Sequence, residues 1–155
     1  MRAVIQRVKS AQVSVENQIC GQIQHGILIL LGLAKNDDLT QGKKLLDKIL
    51  AYRMFSDAEG KMSLNVNQVN GGVLLVSQFT LLANTQKGLR PDFAPAMPPQ
   101  AAQALYHQLV EYLTQQHPAL QTGIFAADMQ VSLVNDGPVT FILESWRQTS
   151  IFSST

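Results

Sequence analysis

Two short stretches of this 155-residue chain place polar groups where chemistry could occur. The first is Ser77-Gln78-Phe79-Thr80, which ends the apolar run Gly72-Val73-Leu74-Leu75-Val76. A charge-free run of β-branched and aliphatic residues reads as a strand buried on both faces. Three hydrogen-bonding side chains at its end cost free energy unless something pairs with them. Either Ser77 and Thr80 satisfy backbone groups in a turn, or the strand end lines a ligand site. The second stretch is Asn135-Asp136-Gly137-Pro138-Val139-Thr140. Its composition makes a turn, and its Gly-Pro bond reaches the cis form at a cost of only about 0.5–1 kcal/mol. Read alone, it is a hairpin loop between two strand-like runs, which would then be antiparallel neighbours.

The usual hydrolytic machinery is missing from both stretches. There is no G-x-S-x-G elbow, H-E-x-x-H pair or P-loop. Thr80 is a candidate nucleophile, but a lone threonine needs an activating base and none is adjacent; positioning is its other role. His107 and His117 lie ten apart with His25 far away, so no pair stands at metal-ligand spacing and no metal site or cofactor is expected. Asp57 and Glu59 are too few ligands for a cation site and read as turn residues.

Taken together, the two motifs resemble the D-aminoacyl-tRNA deacylase (D-tyrosyl-tRNA deacylase) family. The likeness extends to Met1-Arg2-Ala3-Val4-Ile5-Gln6-Arg7-Val8, to Phe55-Ser56-Asp57-Ala58-Glu59-Gly60-Lys61-Met62, and to the run from Phe125 to Thr140. The resemblance implies hydrolysis of the ester bond of D-aminoacyl-tRNA, and of glycyl-tRNA on mischarged tRNAs. Ser77, Gln78, Phe79 and Thr80 would form the catalytic end, with Gln78 and Phe79 bordering the terminal adenosine. Gly137 and Pro138 would bind substrate across the interface of a homodimer, through a cis bond, with Arg7 and Met129 supporting that loop. An aminoacyl ester is already activated, and its neighbouring ribose hydroxyl can assist water. The protein then has to hold the carbonyl and stabilise the oxyanion, for instance with backbone N–H groups around Gln78, Phe79 and Thr80. A pocket that sorts D from L without reading the side chain must read the α-carbon with fixed backbone atoms. Two other readings stay open: a noncatalytic module that binds the tRNA 3′ end, and a structural dimer whose loops are only turns.

Composition sets the frame. The length suits one domain, and the resemblance takes it as 1–147 with a short tail at 148–155. Hydrophobic content is 46%, charged content is low at 15%, and net charge is only +1, so any RNA contact has to be local. The weakly charged surface hints at cover by another subunit. The single cysteine, Cys20, excludes a disulfide framework and reads as a small buried apolar residue. No signal-peptide core and no apolar run of membrane-spanning length is visible, so a cytoplasmic protein is expected, with no membrane partner.

Hydrophobic periodicity places the elements. Strands are expected at 2–9, with Val4 and Val8 inward, at 11–16, at 19–24 with Gly21 as a bulge or close approach, and at 26–33. Asn36-Asp37-Asp38 can cap a helix over 39–54 that buries Leu46, Ile49 and Leu50, with Leu45 and Tyr52 at the edges. Lys43, Lys44 and Lys48 form its solvated face. A loop with a short strand near 62–66 leads to the buried strand. Residues 83–99, rich in proline and carrying Lys87 and Arg90, make a long irregular connection that rims the same site. A second helix at about 100–116 would bury Ala101, Ala104, Leu105, Leu109, Tyr112 and Leu113. A turn at 121–123 precedes strands at 124–134 and 139–146. The fold class is α+β: a largely antiparallel sheet that the resemblance closes into a partial β-barrel with helices packed on one side.

Overall fold

The computed structural model describes residues 1–145. The expected strand end at Trp146, the domain limit at 147 and the tail 148–155 lie outside the described residues.

A 14-residue strand, β1 (Arg2–Val15), forms the spine. It pairs antiparallel with β2 (Gln18–Ile23) through Ala11–Val15, and with β3 (Gly26–Gly32) through Arg2–Val8. Its other edge pairs along its length with β8 (Gln130–Glu144). β3 pairs in parallel with β6 (Gly72–Ser77), and β6 in parallel with β7 (Gln121–Thr122). The sheet is therefore mixed, antiparallel around β1 and parallel at β3-β6-β7. It curls until β7 approaches β2. A Cβ added to Gly21 would stand 2.6 Å from the Thr122 carbonyl oxygen, so only glycine lets this seam nearly close. The close approach expected at Gly21 is thus present, beside a register shift between Val13 and Ser14.

Several boundaries differ from expectation. Residues 2–9 and 11–16 are one strand, because Lys9-Ser10 bends the chain from one neighbour to the next without breaking it. Burial starts at Ala3 and Ile5, with Val4 only half-buried, and moves to Val8, Ala11 and Val13 across shifts in the β8 register. The first set faces the helices and the second fills the barrel. The expected turn at 121–123 is the short strand β7, drawn in by β6. Residues 124–129 form a turn, and the strand begins only at Gln130. Phe55–Ser56 (β4) pairs with Met62–Leu64 (β5), so the loop is a small hairpin. Cys20 is exposed rather than buried, because it sits on the outer face of β2 at the bulge.

Two helices cover the helix-facing side of the sheet. α1 (Leu39–Ala51) opens with a capping box in which Asp38 accepts the Gln41 N–H and Gln41 accepts the Asp38 N–H. It ends before Tyr52 and buries Leu45 fully along with Leu46, Ile49 and Leu50. α2 (Pro99–Gln116) starts with proline in its first turn, where a missing N–H costs nothing. Its stripe is rotated from expectation: Ala102 and Tyr106 are buried, while Ala101 and Ala104 are exposed. The helix follows the large Tyr106 ring inward rather than the small alanines. Lys43 lies 5.1 Å from the Tyr112 ring centroid, and Tyr112 donates to Asp47, linking the two helices.

Leu46 is wholly buried between sheet and helices. Leu46→Ala should lower unfolding free energy by about 2–5 kcal/mol, read as a urea midpoint shift at unchanged slope. His117, buried against Asn67 at 3.2 Å, has its pKa lowered below 6.5 by desolvation. Below 6.5 the unfolded chain takes up a proton that the folded chain resists. Stability is therefore full above that pH and declines as pH falls toward the lowered folded value. His117→Gln should flatten this decline in urea titrations between pH 7.5 and 5.5.

Candidate active site

The polar stretch after β6 caps the open end of the parallel pair. Ser77 closes β6 opposite Leu31, and the Gln78 N–H donates to the Leu31 carbonyl at 2.8 Å. The chain then coils into a single 3-10 turn, Phe79–Leu82. Because the Gln78 N–H is committed to β3, it is not free to stabilise an oxyanion. The N–H groups of Phe79 and Thr80 open the turn, where no intrahelical carbonyl precedes them.

A narrow, mostly apolar cleft sits here, with Ser77, Gln78 and Phe79 on one wall and Met97, Tyr106 and Phe125 on the other. The Tyr106 hydroxyl is 3.5 Å from the Leu75 carbonyl oxygen, and burial raises its pKa, so the phenol stays neutral. Thr80 is exposed, and its hydroxyl accepts a hydrogen bond from the Gln78 side-chain amide. A donor at that oxygen draws electron density away from it and supplies no base. Phe79 is 57% exposed and stands against Phe93 with ring centroids 5.0 Å apart. Among the described residues no three His, Cys, Asp or Glu side chains cluster as a metal site. No helix among them is long and apolar enough to cross a membrane.

The second stretch does not reverse the chain. Residues 124–134 and 139–146 were expected to be hairpin partners; instead both halves of β8 pair with β1. Asn135 faces Val8 and Thr140 faces Gln6, so residues 136–139 are expelled opposite the single residue Arg7. The Gly137-Pro138 bond is cis, and Gly137 has φ +132, a conformation L side chains rarely adopt. Arg7 fastens this loop. Its Nε donates to the Asp136 carbonyl at 3.0 Å and lies 3.3 Å from the Asp136 carboxylate, while Nη1 donates to the Met54 carbonyl at 2.9 Å. His25 adds a contact to the same carboxylate at 3.6 Å and packs edge-on against Phe55.

Within one chain the two stretches are apart. Ser77 pairs Leu31, which pairs Ala3, whereas the loop stands at Arg7. They are offset by four residues along the strands, roughly 13 Å, and β3 and β1 lie between them. Met129 is not among the fastenings of its own chain's loop. A Cβ on Gly123 would meet the Met129 sulfur at 2.6 Å and Val76 at 3.7 Å, so Met129 sits near the Ser77 end. Asp136, Met54, His25, Tyr106, Phe125 and Phe93 were not singled out from sequence. Asp136 and Phe93 lay inside stretches already marked by their composition, while Met54 acts through its backbone and leaves no side-chain signal.

Residues 4–144 match the family model described as D-Tyr-tRNA(Tyr) deacylase. A D-aminoacyl-tRNA deacylase of Acinetobacter baylyi is 65% identical over 144 residues, covering 93% of this chain and 99% of the relative. That of Cellvibrio japonicus is 57% identical with the same coverage of each. The solved structure titled c-Myc DNA Unwinding Element Binding Protein superposes with a TM-score of 0.90 at 40% identity, covering 95% of this chain and all of that one. A probable eukaryotic D-amino acid tRNA deacylase superposes at 0.82 with 12% identity, covering 92% and 97%, which is a likeness of fold. With its length matched from the first strand to the last and both polar stretches in place, the chain belongs to the D-Tyr-tRNA(Tyr) deacylase family.

Proposed function

We propose that this protein hydrolyses the ester bond of D-aminoacyl-tRNA, releasing D-amino acid and free tRNA, as a proofreading hydrolase of translation. The observation that carries the reading is membership of the deacylase family across residues 4–144.

The site's chemistry fits an activated ester. Thr80 has a donor at its oxygen, and the phenol beside the cleft stays protonated, so neither side chain serves as a general base. Water attack is assisted by the substrate's own ribose hydroxyl. The N–H groups of Phe79 and Thr80 are the donors for the developing oxyanion, with Ser77 and Gln78 shaping the cleft. Phe79 and Gln78 border the terminal adenosine.

Chirality is sorted by the Gly137-Pro138 loop. Its carbonyls take the α-amino group, and its backbone excludes an L side chain; glycine, with no side chain, passes as well. The loop serves the partner's cleft in a homodimer, which accounts for the distance between the two stretches of one chain. Met129 then flanks the incoming loop of the partner. An edge argument supports the dimer: among the described residues β8 pairs only β1, and Val134 and Ile142 on it are 54% and 65% exposed. A long edge with exposed apolar side chains calls for cover. Such an enzyme works in the cytoplasm, where tRNA is charged. The missing base also favours a noncatalytic module for the tRNA 3′ end, and turnover separates the two.

D-tyrosyl-tRNA should be deacylated at least about 100-fold faster than L-tyrosyl-tRNA; equal rates, or binding without turnover, would defeat the proposal. Thr80→Ala should keep kcat within about tenfold, whereas a nucleophile's removal would cost on the order of 10⁶. Arg7→Ala leaves the loop and the Met54 carbonyl unfastened. It should cost about 1.5–3 kcal/mol of stability and narrow the D-to-L ratio. Arg7→Lys, which keeps charge but loses the planar fork, should rescue stability better than selectivity.

A further inference from the structure

The connection from the 3-10 turn to α2 is an ordered arm. Asn84 and Asp92 exchange backbone hydrogen bonds at 2.7 and 3.3 Å, closing its base. The Asn84 side chain accepts the Gln86 N–H at 3.1 Å, and that of Asp92 accepts the Ala94 N–H at 3.0 Å. The return leg is tied to the sheet end, with Lys35 N–H on the Pro95 carbonyl at 3.1 Å and Met97 N–H on the Leu33 carbonyl at 2.9 Å. The tip, residues 86–90, projects from this fastened base. Leu89 there is fully exposed, flanked by exposed Lys87 and Arg90, neither of which has an ion pair among the described residues. Exposed Lys35 lies beside the return leg, and Asp92 is the arm's single acid.

We infer that this arm docks the unpaired acceptor end of the tRNA, with Lys87, Arg90 and Lys35 contacting phosphates and Leu89 packing on a base or sugar. The inference rests on the deacylase reading and names the RNA surface that reading lacks. The argument is one of continuity and charge. The arm leaves two residues after the turn at which the ester is held, and Phe93 on its return leg touches Phe79. A polynucleotide whose 3′ ester lies at Phe79 and Thr80 lies beside the arm, because the arm leaves from that turn and returns against Phe79. A chain of net charge +1 has no broad field to hold a polyanion, so contact depends on local cations.

The test uses Lys87→Ala/Arg90→Ala and Leu89→Ser on two substrates, D-tyrosyl-tRNA and 3′-D-tyrosyl-adenosine, which has no phosphate. The arm variants should lose about ten- to a hundredfold in kcat/KM on the tRNA, mostly through KM, with unchanged hydrolysis of the adenosine ester. For the double variant, the log–log salt dependence of binding to deacylated tRNA should be shallower by about 1.4, two contacts at ~0.7 each. Equal losses on both substrates would overturn the inference, as would unaltered tRNA affinity and salt slope. A fall in oligomer mass with tRNA binding intact would assign the arm to a protein contact and overturn it too. If wild type cleaves neither substrate, the deacylase reading fails, and the tRNA-binding arm of the test still decides the docking surface.

Discussion

The rest of the structure depends on the need of β1 to satisfy its backbone along both edges. One edge is shared between β2 and β3, and the other, among the described residues, belongs to β8. Buried N–H and C=O groups must find partners, so β8 follows β1 from Glu144 to Gln130. Between Gln6 and Val8 the spine offers one residue, while β8 has four between Thr140 and Asn135. The surplus is pushed out of the ladder as the Asp136–Val139 loop. Arg7 is the one residue opposite it, and its guanidinium bonds the Asp136 carbonyl of the loop. Loop placement therefore follows from strand register, and loop rigidity from a side chain of the same spine.

Near the start of the spine, level with Ala3, the cleft is positioned by a similar economy. β6 is parallel to β3, so its last residue lands beside Leu31, and the Gln78 N–H is consumed in extending that pairing. The chain turns away, and the 3-10 turn leaves Phe79 and Thr80 exposed. Tyr106 from α2 and Phe125 from the turn before β8 close the opposite wall, their rings 5.4 Å apart. A wall of aromatic and aliphatic groups without a titrating base suits a reaction whose reactant brings its own activation and its own hydroxyl. In the proposed dimer, two places four residues apart along one spine serve two different clefts.

Much of this was visible in residue patterns, and the exceptions share a cause. The charge-free run at 72–77 and the acidic cap before α1 each report a local backbone requirement, and each appears where expected. Asn-Asp-Gly-Pro reports only that the chain departs from regular structure. The same residues serve a reversal or a bulge, and the choice lies with the strand alongside. Lys9-Ser10 looked like a boundary for the same reason: a bend between two partners leaves the same polar mark as a break. Gln121-Thr122 is a strand only because β6 is next to it. Cys20 and the α2 stripe were misplaced because small residues fit either environment, and larger neighbours decide which way the element rolls.

By itself, the sequence determined the chemical vocabulary: a polar strand end without a base, a glycine–proline loop, a near-neutral surface, and the periodicities of an α+β fold. Those properties belong to side chains and short segments, so no neighbour is needed to express them. Tertiary structure alone decided that both halves of β8 run along one spine, that Arg7 holds the loop, and that the Gln78 amide is spent on β3. Each of those is a pairing between residues far apart in sequence, and which partner a hydrogen-bonding group finds is settled only when the whole sheet closes.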